Sequence, residues 1–257
     1  MKRAMGILRQ EGFTLIELLV ALGIFLVITG AAFTLLGTSQ QRYRTESQVL
    51  NSFQEARLGL DQIVRDVNDA GFPPATYFDA NFPNLSASSP FAWSPNYPAQ
   101  SCQLGAGCAT PGGFDLIIET NPNPQDTTCA PNCVQWIRYQ LQLPPQVQVP
   151  TLMRGVAPRA GGGADPAAAF VGQSAPVPFV QNVVNSPAQP IFSYTCDTST
   201  PPRSPPQPCP NAAAADNIPA NIRDVIINLI VAAPQPDATS GQQRVVVLTG
   251  RGRRVNP

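Results

Sequence analysis

Residues 13–36 are apolar almost without interruption, carrying a single charge, Glu17, in 24 positions. A run of that length can cross a bilayer as a helix, for which about 20 residues suffice. Beyond Gly37 the chain turns polar but keeps a helical rhythm. Val49, Phe53, Ala56, Leu60, Ile63, Val67 and Ala70 recur at steps of three and four, while Gln54, Glu55, Arg57, Asp61, Arg65 and Asp66 lie off that stripe. Gly71, followed by Pro73 and Pro74, supplies a stop signal. A continuous helix from about Thr14 to Ala70 would be about 85 Å long at 1.5 Å per residue. The stripe packs most simply on a head domain; a surface for a partner helix is the second reading.

After Gly71 the period changes. Residues 113–119, 134–141 and 151–154 read as strands, the second with period-two alternation, and 179–184, 191–195, 224–232 and 244–250 are further candidates. Between them lie loops rich in Pro, Ala, Ser and Gly at about 73–112, 155–176, 197–219 and 233–243. The expected fold class is α+β, with an antiparallel sheet against the second half of the long helix. The expected organisation is a leader (1–12), a membrane-spanning helix (13–36), its amphipathic continuation (37–71) and a β-rich head (72–257).

Composition narrows the function classes. Sixteen basic and sixteen acidic residues cancel, so no global field points to nucleic acid or anionic lipid. Histidine is absent, which removes the commonest general base and the commonest metal ligand. The six cysteines fall as Cys102 with Cys108, Cys129 with Cys133, and Cys196 with Cys209 around a Pro-rich loop. An even number in loops points to disulfides in an oxidising compartment, and the irregular spacing without histidine disfavours a metal site. Lys2, Arg3 and Arg9 against Glu11 place the N-terminal side of the apolar run in the cytoplasm and export the remainder.

A secretory signal would place small residues after a shorter apolar core. Here Gly12 and a polar leader precede the run, so a cut that keeps the anchor must come before it. Glu17 in a membrane helix costs about 2.5–3.5 kcal/mol on insertion scales and is functional by default; an interfacial acid near the helix start is the alternative. The run from Gly12 through Phe13, Thr14, Leu15, Ile16 and Glu17 to Val20 resembles the class III signal of type IV prepilins and type II secretion pseudopilins. The resemblance implies cleavage by prepilin peptidase between Gly12 and Phe13, N-methylation of Phe13, and a role for Glu17 in assembly, where its carboxylate would meet the new amine of a neighbouring subunit. Major pilins often carry a helix-breaking proline where this chain has Thr34, flanked by Gly30 and Gly37, so any local melting would rest on those glycines.

Residues 56–72 and the later order of a Trp136-containing strand followed by Leu152-Met153-Arg154 resemble PilW-type minor pilins and the J-type minor pseudopilins. That resemblance implies a minor structural subunit of a type IV pilus, at its tip or initiating it, or of a type II secretion pseudopilus. An anchored extracytoplasmic binding module or adhesin is the rival. The implied partners are prepilin peptidase, other major and minor pilins or pseudopilins, and inner-membrane lipid. The implied location is a single-pass inner-membrane protein with its head in the periplasm, then the filament.

The remaining polar residues argue against an enzyme. The one lysine, Lys2, lies in the leader, and no cofactor is expected. Asp115 and Glu119 share a strand face, which suits a carboxylate pair, although a polar, exposed face is the simpler reading. Gly161-Gly162-Gly163 lacks the context of a phosphate loop and reads as flexible loop. Asp126, Asp216 and Asn217 lack the dense spacing of a calcium loop. Arg251, Arg253 and Arg254 form a small basic cluster, read as a solvated tail; without an aromatic platform no nucleic acid is expected there.

Overall fold

The apolar run and the striped segment form one helix, α1 (Leu15–Asn68), in a computed structural model that describes residues 12–74, 85–126, 133–159, 165–199, 204–237 and 241–254. The chain divides into two units, one up to Ser47 and one from Gln48 onward.

In the first unit the described residues are helical from Leu15, and the apolar side chains between Phe13 and Leu36 stand exposed. The helix continues unbroken through Gly30, Thr34 and Gly37. Its threonines need no outside partner. The hydroxyl of Thr29 donates to the Phe25 carbonyl at 2.7 Å, Thr34 to Ala31 at 2.8 Å and Thr38 to Leu35 at 2.9 Å. Polar groups closed back on the backbone in this way are tolerated in hydrocarbon.

In the second unit α1 buries its stripe through Val49, Ala56, Leu60, Ile63 and Val67, and Ala70, just past its end, is buried as well. Gly71 then takes a positive φ of 77°, a conformation open to glycine at little cost, and ends the helical run. Nine strands make two antiparallel sheets among the described residues. The first contains β1 (Phe91–Ala92), β2 (Asp115–Thr120), β3 (Gln135–Gln142), β4 (Thr151–Pro158) and β5 (Val177–Gln181), side by side in chain order. The second contains β6 (Phe192–Cys196), β7 (Gln207–Cys209), β8 (Ile222–Ala232) and β9 (Val245–Arg253), in the order β7-β6-β8-β9.

The alternation of side chains sorts each strand into two faces. Leu116, Ile118, Ile137, Tyr139 and Leu152 of the first sheet join Phe192, Tyr194, Val225, Ile227 and Leu229 of the second in one core, which the stripe of α1 completes. On the opposite face of the first sheet, Ile117, Trp136 and Ala157 pack under Trp93, Tyr97 and Phe170. The helix sits close on β9 because that strand offers glycine where its inner face meets α1. A Cβ on Gly252 would stand 2.5 Å from Val67 Cγ1, and one on Gly250 would stand 2.9 Å from Leu60 Cδ1.

The α+β layout agrees with the pattern in the sequence, with differences of detail. β1 and β7 arise inside segments expected to be loops. β1 has only two residues and exists by pairing with Ile117 and Ile118. β7 pairs Cys209 with Tyr194 and is tied to β6 by the Cys196–Cys209 disulfide. β4 continues to Pro158 through its pairing with β3.

Candidate processing and assembly site

Gly12 and Phe13 precede the helix in irregular backbone. A Cβ on Gly12 would meet nothing within 4 Å, so the chain's own packing places no demand for glycine there. Phe13 is 84% exposed. Thr14 then acts as the N-cap and Glu17 as the third helical residue. The Glu17 amide donates to Thr14 Oγ1 at 3.3 Å, while Glu17 Oε2 accepts from the Thr14 amide and from the Thr14 hydroxyl, both at 3.2 Å. This reciprocal arrangement is a capping box, which satisfies backbone donors that the first turn leaves without partners. The carboxylate also lies where the helix dipole favours negative charge. Threonine three residues before glutamate is the sequence signature of such a box, so this pairing is legible in the sequence. The structure brings Thr14 and Glu17 together at the head of an apolar helix long enough to cross a membrane.

The other polar candidates fall elsewhere, and several are corrected. Asp115 and Glu119 do share a face, but it is covered rather than exposed. Glu119 is fully buried and accepts from Tyr97 Oη, from Trp136 Nε1 at 2.9 Å, from the Ser88 amide at 2.5 Å and from Arg159 Nη1 at 3.1 Å. A buried carboxylate with four donors is held in place. Asp115 takes a bidentate pair from Arg138 at 3.0 and 2.6 Å. Burial pushes its carboxyl above the ordinary range, and the Arg138 hydrogen bonds and charge offset this only in part.

Asp66, expected off the stripe, is buried as well. Its Oδ2 accepts from Tyr139 Oη at 2.6 Å and Arg154 Nη2 at 2.9 Å, and its Oδ1 accepts from Gln62 Nε2 at 2.7 Å. The group ties α1 to β3 and β4. No spacing rule in the sequence pairs a helix aspartate with an arginine 88 positions later, so this tie was not legible.

The basic C-terminal cluster is not a solvated tail. Arg251 and Arg253 lie in β9, and Arg251 Nη2 holds the buried Asp224 at 2.8 Å. Burial pushes the Asp224 carboxyl up, but hydrogen bonds from Arg251 and Thr195 and the charges of Arg251 and Arg253 outweigh it and hold it below the ordinary range. Arg254 donates to the Ala220 carbonyl at 2.7 Å. Asp216 is buried and accepts from Thr198 Oγ1 at 2.5 Å, while Asn217 bonds within its own loop to Asn211. Among the described residues no group of three or more Cys, Asp or Glu side chains converges as a metal site.

Disulfides join Cys102 to Cys108 and Cys196 to Cys209. Cys129 lies outside the described residues, as do the leader through Glu11 and the three glycines at 161–163.

Residues 7–33 match the family model described as the prokaryotic N-terminal methylation motif. Comparison with curated proteins and with solved structures gave no match. The matched span takes in Gly12, Phe13, the Thr14–Glu17 capping box and most of the exposed apolar helix. Over residues 7–33 the chain carries the prokaryotic N-terminal methylation motif, which is consistent with a class III prepilin-like protein.

Proposed function

We propose that this chain is a minor pilin-like structural subunit. It is inserted in the inner membrane with its leader in the cytoplasm, cut by prepilin peptidase between Gly12 and Phe13, and N-methylated on Phe13. The mature chain then joins a type IV pilus, at the tip or as an initiator, through its apolar helix. The observation that carries this is the methylation motif over residues 7–33 at the head of a helix whose apolar side chains have no cover of their own.

The chemistry fits the steps. Gly12 leaves the backbone free to enter a peptidase site, and substituting it disturbs nothing in this chain. Glu17 in its capping box lies one turn from the amine that cleavage creates. On docking, a neighbour's amine gives this carboxylate a cationic partner in low dielectric, where pairing is strongly directional. The buried head carboxylates Asp66, Glu119 and Asp224 are each engaged by an arginine and by a hydroxyl donor, as structural ties are. A minor pseudopilin of a type II secretion system is the second reading, since the same motif begins both classes.

Mass spectrometry of the protein recovered from membranes tests the processing step. The expected N-terminus is N-methylated Phe13, and an intact leader would overturn the proposal. Deleting the gene separates the two assemblies: loss of piliation supports the pilus, and loss of secretion with pili intact supports the pseudopilus. If neither changes, the assembly role fails.

A further inference from the structure

Each sheet of the head has two edges, and three of these four are blunted. β1 has only two residues, β5 carries Pro178 and a register shift beside Met153, and β7 is a short strand with Pro208 at its centre. Short strands, prolines and bulges keep an unpaired backbone from recruiting another chain. β9 has none of these devices. It runs from Val245 to Arg253 in unbroken register with β8 and has no other neighbouring strand among the described residues.

The two ends of the β8–β9 ladder fix which backbone groups face outward. The Ala233 amide donates to the Arg244 carbonyl at 2.7 Å, and the Arg254 amide donates to the Arg223 carbonyl at 3.3 Å. Even-numbered positions therefore bond to β8, and the amides and carbonyls of Val245, Val247, Thr249, Arg251 and Arg253 point away from it. Asn68 Oδ1 accepts from the last of these amides, Arg253, at 2.9 Å. Val247, Thr249 and Arg251 have no backbone hydrogen bond among the described residues. They present donors and acceptors about 6.8 Å apart, the spacing of an extended chain.

The side chains at these positions stand on the face of β9 away from α1. Val245 and Val247 are more than half exposed, as are the side chains of Arg251 and Arg253. The two arginines share one carboxylate, Asp224, at 2.8 and 3.9 Å, and Asp224 Oδ1 accepts no hydrogen bond among the described residues. One end of the edge is thus apolar, while the other keeps positive charge that Asp224 does not cancel.

We infer that β9 is a docking edge for an extended segment of a different protein chain, apolar or β-branched toward Val245 and Val247 and acidic toward Arg251 and Arg253. Paired antiparallel, the segment enters with its acidic residues first and adds one strand to the second sheet. Charge decides against a second copy of this chain. Antiparallel pairing of two β9 strands about Thr249 sets Arg251 beside Val247 and Arg253 beside Val245, and parallel pairing stacks arginine on arginine. This edge takes no part in the proposed assembly through the apolar helix.

Amide hydrogen exchange, followed by NMR on the processed full-length chain in detergent micelles, tests it. The probe is a synthetic peptide of strand length, with glutamates near its N-terminal end and valine or threonine after them. Its binding should slow exchange at Val247, Thr249 and Arg251 about tenfold and leave the amides bonded to β8 unchanged. Lysines in place of the glutamates should weaken binding about fivefold, and R253Q should remove much of that preference. Thr249→Pro removes an outward amide without touching a bond to β8, so the head should stay folded and bind about tenfold more weakly. A peptide N-methylated at its bridging amides makes the same test with the protein unaltered, and it should give no protection. If the three amides are protected before any peptide is added, the edge is already covered and the proposal falls. It also falls if the peptide leaves them unprotected, or if the N-methylated peptide protects them equally. Equal binding of the lysine peptide overturns the acidic partner. If a peptide copied from Val245–Arg253 binds more tightly than the acidic one, β9 is a self-association edge and the different partner is overturned.

Discussion

Replacing Asp66 by alanine would remove the acceptor on which Tyr139 and Arg154 converge. Tyr139 is fully buried, so its hydroxyl hydrogen would have no partner, at a cost of about 1–3 kcal/mol. Arg154 would lose its carboxylate, but its side chain keeps 25% exposure and can turn toward water. Breaking a fully buried pair costs about 3–5 kcal/mol, so this exposure places the expected loss near the lower end, about 3 kcal/mol. For a unit of this size that corresponds to about 6–12 °C in Tm. Asp66→Asn keeps an acceptor oxygen and loses only the charge, so it should cost about half as much. The assay is denaturant unfolding of the processed chain, followed by tryptophan fluorescence from Trp93 and Trp136 in the head. A double-mutant cycle with Arg154→Met should give a coupling of about 1–2 kcal/mol. If Asp66→Ala costs less than about 0.5 kcal/mol, or the coupling vanishes, the tie between α1 and the first sheet does not stabilise the head as reasoned.

Other perturbations probe different parts of the molecule. Gly252→Ala would push a methyl group against Val67 and should destabilise the head by about 1–3 kcal/mol in the same unfolding assay. Gly12→Leu should fold normally and leave the precursor uncut, seen as a heavier band on a gel. Replacing Cys196 and Cys209 by serine opens a link across 13 positions and should cost about 3 kcal/mol, read from the shift in denaturation midpoint. Tyr97, Tyr139 and Tyr194 are pushed well above their ordinary range, first by burial and then by Glu119, Asp66 and Asp115 respectively. Unfolded tyrosines ionise from about pH 10 while these stay neutral, so the unfolded state loses protons first and stability falls as pH rises past 10. Each tyrosine contributes a slope of about 1.4 kcal/mol per pH unit, and replacing Tyr194 by Phe should flatten the decline.

The sequence was most informative where structure follows period. The stripe from Val49 to Ala70 and the alternation from Gln135 to Leu141 name their buried faces directly, because a helix repeats every 3.6 residues and a strand every two. It was least informative where a residue's role depends on a partner far along the chain. Asp66 lies off the apolar stripe and Glu119 on a face expected to be exposed, since charge predicts exposure unless a buried partner exists. Their partners, Arg154, Arg159, Tyr97 and Trp136, lie on separate strands and loops and come together only in the folded head. The C-terminal arginines were misread for the same reason: β9 is a strand because β8 lies beside it. The processing segment stood out because its signal is local, and the capping box within it is local too.

The seat of α1 on β9 carries a mechanical consequence. Leu60, Val64 and Val67 enter the space left by Gly250 and Gly252, while Asn68 Oδ1 accepts from the Arg253 amide at 2.9 Å. Teeth of this kind fit one notch each. Sliding the helix along its axis by a single residue would drive a side chain into strand backbone and pull Asp66 off its anchors, so the interface resists shear by interlocking rather than by area alone. Tension carried by the stretch of α1 from Gln48 to Asn68 is therefore passed to the sheet without slack, as a pawl loads a rack.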